Sequence, residues 1–130
     1  MDINLKNIEK LPSDVRKEFY RTYLKFHEKK KEANIQKNFM SFVKHVWPDF
    51  IEGKHHQRIA DKFNDLAEGK IKRLIINMPP RHTKSEFASY LLPAWMVGKK
   101  PKLKIIQSTN TTELSVRFGR KAKQLMDSPE

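Results

Sequence analysis

Up to Gly69 the apolar residues of this chain recur at helical spacing. Immediately afterwards that spacing gives way to the short continuous run "RLIINM" at 73–78, then the proline-broken loop "PPRHT" at 79–83, then Lys84-Ser85 opening another helical stripe. A period change of this kind sets the order of elements. Before it, "DVRKEFYRTYLKFHEKKKE" from Ser13 onward predicts a helix with Phe19, Tyr23 and Phe26 on a common face. A second helix over about 35–47 carries Phe39, Phe42, Val43 and Val46 at i, i+3, i+4 and i+7, and Pro48 stops it. A third, over about 55–68, aligns Ile59, Phe63 and Leu66, with Gly69 placed as its C-terminal cap. Residues 1–12 read as a loose arm.

After the change, "RLIINM" predicts a strand buried on both faces, as in a parallel sheet. A helix over about 84–97 follows, with Phe87, Leu91, Ala94 and Trp95 as its stripe; Pro93 must kink or shorten it, and Gly98 ends it. "KLKIIQST" at 102–109 predicts a second strand. A last helix over about 111–126, with Leu114, Phe118 and Leu125 facing in, is opened by Asn110 with Glu113 three residues on, the spacing of a capping box. The expected fold class is therefore α/β: N-terminal helices, then one right-handed β-α-β-α unit beginning a parallel sheet that two strands leave incomplete. The expected domains are a basic helical arm at 1–34 and a sheet-forming domain beginning at 35–130.

Charge narrows the partners. The 27 Lys and Arg against 15 Asp and Glu give a net +12, a field suited to a polyanion, nucleic acid before an acidic membrane surface. No apolar run is long enough for a bilayer span. With no cysteine, disulfides and thiolate metal sites are excluded.

The loop carries the candidate chemistry. In the pattern G-x-x-x-x-G-K-[ST], backbone N–H groups cradle phosphates, Lys reaches the β/γ oxygens and Ser or Thr holds Mg²⁺. Aligned on Lys84-Ser85, the two glycine positions hold Met78 and Thr83. The context is nonetheless right for an anion, because a helix N-terminus follows directly. Pro79 and Pro80 lack N–H groups, so the donors must come from Arg81, His82, Thr83, Lys84 and Ser85. Thr83 is β-branched, so it is either in an ordinary conformation or strained. Arg81 adds a fixed positive fork near a γ-phosphate. A basic turn capping a βα unit remains the plainer alternative.

From Phe39 onward, the stretch running through "HHQRIAD", "RLIINMPPRHTKSEFASYLLPAWMVGKKP" and "KIIQSTNTTELSVRFGRKAKQLM" resembles the front of the ATPase domain of the tailed-phage large terminases, the DNA-packaging motors. The resemblance covers about residues 39–130. It implies a RecA/helicase-like P-loop NTPase fold, with ATP and Mg²⁺ as cofactors. A "PPRHGKS" loop is familiar in that family, so Pro79, Pro80, Arg81, His82, Lys84 and Ser85 match and Thr83 departs, standing where glycine is commoner. The resemblance implies that Lys84 neutralises β/γ-phosphate charge, Ser85 ligates Mg²⁺ and Arg81 stabilises the γ-phosphate. It implies that Gln57 contacts adenine.

For the whole parent protein it implies packaging of double-stranded DNA into procapsids, with a C-terminal endonuclease and a ring of like subunits. The portal protein and the small terminase subunit would be its partners. The expected location is the host cytoplasm and transiently the procapsid portal, not the mature virion. The acidic strand that would hold Mg²⁺ from the second side is missing, since none of Asp2, Asp14, Asp49, Asp61, Asp65 and Asp127 follows a buried strand. The chain is thus expected to be an N-terminal piece of such a motor, inactive alone. A helicase-like translocase and a non-enzymatic basic DNA-binding module stand as alternatives. His55-His56 reads as surface or nucleotide-adjacent packing rather than as a metal site. Trp47 and Trp95 both read as core.

Overall fold

The computed structural model describes residues 12–127; the N-terminal arm expected at 1–12 lies almost wholly outside the described residues. Among the described residues five α-helices form: α1 Ser13–Lys37, α2 Phe39–Val46, α3 Lys54–Ala67, α4 Leu92–Lys99 and α5 Thr112–Asp127, with a π-helical segment Glu86–Leu91 leading directly into α4. The chain divides into two units, residues 1–33 and 34–130.

In the first unit, α1 over residues 13–33 shows no buried residue. Its aromatic residues stack along the helix instead, Phe19 on Tyr23 with ring centroids 6.1 Å apart and Tyr23 on His27 at 4.2 Å. Pairs at i and i+4 meet on a helix surface without any help from a core.

In the second unit α2, α3, the π-helical segment and α4 share one apolar core. Phe39 lies at its centre, edge-on to Phe63 at 5.0 Å, Trp95 at 5.4 Å and Phe87 at 5.5 Å. The short α2 is held at its start by two asparagines. Asn38 accepts from Ser41 N–H as the N-cap, and Asn64 of α3 accepts from Phe39 N–H at 2.9 Å. Trp95 is buried and donates its indole N–H to Ile35 O. Trp47, expected in the core, is 38% exposed and only leans on Phe50.

The α/β expectation is overturned. The structure is 68% helical, and no strand forms among the described residues. The segments 73–78 and 102–109 lack any ladder partner, so neither becomes a strand of a P-loop NTPase sheet. Their apolar content has another use: Leu74, Ile76 and Met78 alternate onto the helical core, while Ile75 between them is 85% exposed and Ile106 is 97% exposed. An apolar run signals burial, but strand formation also needs neighbouring backbone to bond, and that cannot be read from the run itself.

Pro93 acts through the backbone of the helix it interrupts. Proline has no N–H for the carbonyl four residues back. Here that carbonyl, Ser89 O, accepts from Gln107 Nε2 at 3.1 Å instead, and Leu92 N–H reaches Phe87 O five residues back. The π-helical segment is the result, since an added residue per turn is a usual way to absorb such a break. The helix then runs through Gly98 to Lys99 rather than ending at the glycine. At α5 the cap lies one residue beyond expectation: Thr111, not Asn110, receives Leu114 N–H on its hydroxyl.

Candidate functional site: a left-handed loop anchored on a histidine

Residues 79–85 join the extended segment to the π-helical segment. Arg81 and Thr83 both lie in the left-handed region, with φ of 65° and 57°, and His82 between them does not. Alternation of hand along successive residues turns their N–H groups toward one side, the geometry of an anion-binding concavity. Among the described residues, none accepts a hydrogen bond from the backbone N–H of Arg81, His82 or Thr83. Glycine is the usual means to this shape; here it is reached without any.

Three side-chain bonds fix it. His82 Nδ1–H donates to Pro80 O at 2.9 Å, which closes the first turn of the loop. Thr83 donates from Oγ1 to His82 O at 2.7 Å. Thr83 Oγ1 also lies 2.8 Å from His56 Nε2.

The direction of this last bond follows from the other end of the ring. Gly53 N–H donates to His56 Nδ1 at 2.9 Å, so Nδ1 carries no proton and Nε2 of the neutral ring does. Nε2–H therefore donates to Thr83. His56 is the third residue of α3, and its reach back to Gly53 N–H is one half of a capping box. Its ring is 7% exposed and packed against Phe50 at 4.8 Å and Phe87 at 5.3 Å. Burial, with the neighbouring His55 second, lowers its pKa from the ordinary imidazole value, which favours the neutral ring that the bonds require; Glu52 pulls weakly the other way.

Thr83 O accepts from Phe87 N–H at 2.9 Å, so helical bonding starts from the loop itself. Lys84 and Ser85 thus stand at the first helical positions, Lys84 half-buried and Ser85 exposed. Glu86, one residue on, is paired with Lys121 of α5 at 3.0 Å, and Lys121 also lies over the Tyr90 ring.

The sequence-predicted residues separate into two groups. Pro80, Arg81, His82, Thr83, Lys84 and Ser85 are brought together in the loop. Gln57 is not bonded to it: its amide donates to Asp61 one helical turn on, at 2.9 Å. His56, the neighbour of Gln57, is the residue that reaches the loop. The only sequence sign of this was a histidine three residues after a glycine at a helix start. His55 and His82 also approach, with centroids 5.7 Å apart, yet no group of three potential ligands that could hold a metal ion forms among the described residues. No described helix is long and apolar enough to cross a membrane.

Comparison with protein-family models, curated proteins and solved structures gives no match to this chain.

Proposed function

We propose that the loop at 79–85 binds the phosphates of MgATP, and that the chain is the nucleotide-binding part of a DNA-packaging motor of the large-terminase kind. The observation that carries this is the alternating-handed turn at Arg81–Thr83, set directly before Lys84 and Ser85 at a helix start. Such a turn presents N–H donors to an anion, and the positive end of the helix adds to their field. In this reading Lys84 neutralises β/γ-phosphate charge, Ser85 ligates Mg²⁺ and Arg81 meets the γ-phosphate. Gln57 lies one residue beyond the anchor His56, and would have to leave Asp61 to meet adenine. The phage-motor part of the reading rests on the resemblance over residues 39–130. Double-stranded DNA, the portal protein, the small terminase subunit and a ring of like chains belong to that part.

A second reading, a basic DNA-binding surface, is favoured by an open groove along α5 lined by Arg117, Arg120 and Lys121. The two readings differ in what Lys84 does. Titration of a fluorescent ATP analogue with Mg²⁺ should show binding that weakens at least about tenfold in Lys84→Ala, as loss of one charge-assisted phosphate contact would give. Equal affinity of the two proteins would remove the phosphate-loop reading and leave the DNA surface.

A further inference from the structure

We propose that His56 is the positioning residue of the phosphate loop, acting through Thr83: its Nε2–H bond to Thr83 Oγ1 holds in the left-handed region a residue that would otherwise leave it. The inference rests on the reading of residues 79–85 as a phosphate cradle, but it concerns how the cradle is kept in shape.

Thr83 is a poor residue for its conformation. A β-branched side chain at φ 57° crowds its own backbone, and the position is rarely adopted except by glycine, asparagine or aspartate. Left to itself the loop would relax, and relaxation would rotate the Thr83 N–H out of the concavity. What opposes this is a continuous chain of bonds: Gly53 N–H to His56 Nδ1, His56 Nε2–H to Thr83 Oγ1, Thr83 Oγ1–H to His82 O. Every donor in the chain has one acceptor, so the arrangement has one sense. Its fixed end is firm. The His56 ring is wedged between Phe50 and Phe87, and Phe87 is fully buried.

The bond also joins two segments 27 residues apart. A glycine at position 83 would adopt the same φ without a partner and would leave α3 and the loop independent. With threonine there, the loop keeps its cradle only while α3 presents His56. The cradle is thereby coupled to the first turn of α3, where Gln57 also sits.

The test is a double-mutant cycle on affinity for the fluorescent ATP analogue, with Lys84→Ala as reference. Thr83→Val keeps the crowding and removes the hydroxyl; His56→Phe keeps the packing and removes the donor. Each should weaken binding between about 3-fold and 10-fold, the range of one lost hydrogen bond. His56→Gln, whose amide can donate from near the Nε2 position, should restore most of the affinity. His56→Asn, which reaches only the Nδ1 side, should not. Thr83→Gly should bind within about 3-fold of the unsubstituted chain. In that background His56→Phe should have no further effect.

Nitrogen NMR of the unsubstituted chain should find His56 protonated on Nε2 alone, a result that needs neither nucleotide nor variant. Loss of affinity in Lys84→Ala but not in Thr83→Val or His56→Phe would overturn the positioning role while leaving the phosphate loop intact. An equal effect of His56→Phe with and without Thr83→Gly would overturn it as well, by showing His56 to be simple core. The opposite tautomer would overturn it outright. If Lys84→Ala binds as the unsubstituted chain does, the phosphate-loop reading is what has failed, and the tautomer alone then decides for or against the His56–Thr83 link.

Discussion

Among the described residues the backbone takes a positive φ in two places, both in the second unit, and by opposite means at Gly69 and Thr83. At the end of α3, Gly69 takes φ 79° in a turn closed by Gly69 N–H on Leu66 O and Lys70 N–H on Asp65 O, the paired bonds of a Schellman motif. Nothing lies within 4 Å of where a Cβ would sit. The turn needs only the absence of a side chain, and its backbone bonds are all local. At 83 the side chain is present, branched, and bonded on both sides. The first device takes its hand from local bonds, although Lys100 Nζ also donates to Ala67 O beside it. The second exists only while His56, Phe50 and Phe87 stay where they are. The same backbone hand can thus be local or tertiary in origin, and only a tertiary one can be coupled to another site.

The largest expected effect comes from removing the wall behind His56. Phe87→Ala empties a fully buried site, so denaturant unfolding should show a loss of about 3–5 kcal/mol. Within the folded state, hydrogen exchange of the Gly53 N–H, bonded to His56, and of the residue-87 N–H, bonded to Thr83 O, should accelerate far more than at Gly69 and Lys70. Uniform acceleration would mean that the loop has no special dependence on that wall.

Substitutions at Gly69 and Thr83, two of the three left-handed positions among the described residues, should then differ in size. Gly69→Ala meets no atom but forces a Cβ into the left-handed region, costing about 1–2 kcal/mol in the same unfolding experiment. Thr83→Gly relieves strain of similar size, but loses the hydroxyl bonds and adds chain entropy. Its net change should therefore stay within about 1 kcal/mol of zero. A Thr83→Gly loss as large as that of Gly69→Ala would show that Thr83 is not strained.

The smallest effect is that of pH. The folded pKa of His56 is lowered, by burial first and by His55 and His82 besides, with Glu52 opposing. The unfolded chain therefore binds the proton more readily than the folded one. The contribution of neutral His56 is complete above the ordinary value of 6.5 and is lost as pH falls from there through the lowered folded value. Exchange protection of the Gly53 N–H, which loses its acceptor when His56 Nδ1 is protonated, and of the Phe87 N–H on Thr83 O should fall in that window, while the backbone bonds of the Gly69 turn should hold. Since the His55 and His82 rings lie beside it, His56→Gln is the control: it should flatten the response of the loop. A response that survives in His56→Gln does not come from His56.

Much of the helical organisation was legible in the sequence. The i, i+3, i+4 stripes around Phe39 and Phe63, the stop at Pro48 and the cap at Gly69 are local patterns, and local patterns dictate helices because each helical bond closes over four residues. Of the stripe expected in α5, Phe118 is buried but Leu114 is exposed, and α1 buries none of its expected face. The loop residues from Pro80 to Ser85 were legible as a group for the same reason: they are consecutive. The strands were not, because "RLIINM" and "KLKIIQST" record hydrophobicity and not the presence of a backbone neighbour; the helices took Leu74, Ile76 and Met78 as packing and left Ile75 and Ile106 outside.

What the amino-acid sequence determined by itself is the run of helices and the chemistry gathered at 80–85. What only the tertiary structure decided is the hand of Thr83. No propensity places a threonine there. A bond from His56, 27 residues earlier and seated against Phe50 and Phe87, does, since its gain offsets a local cost that nothing within the loop could meet alone.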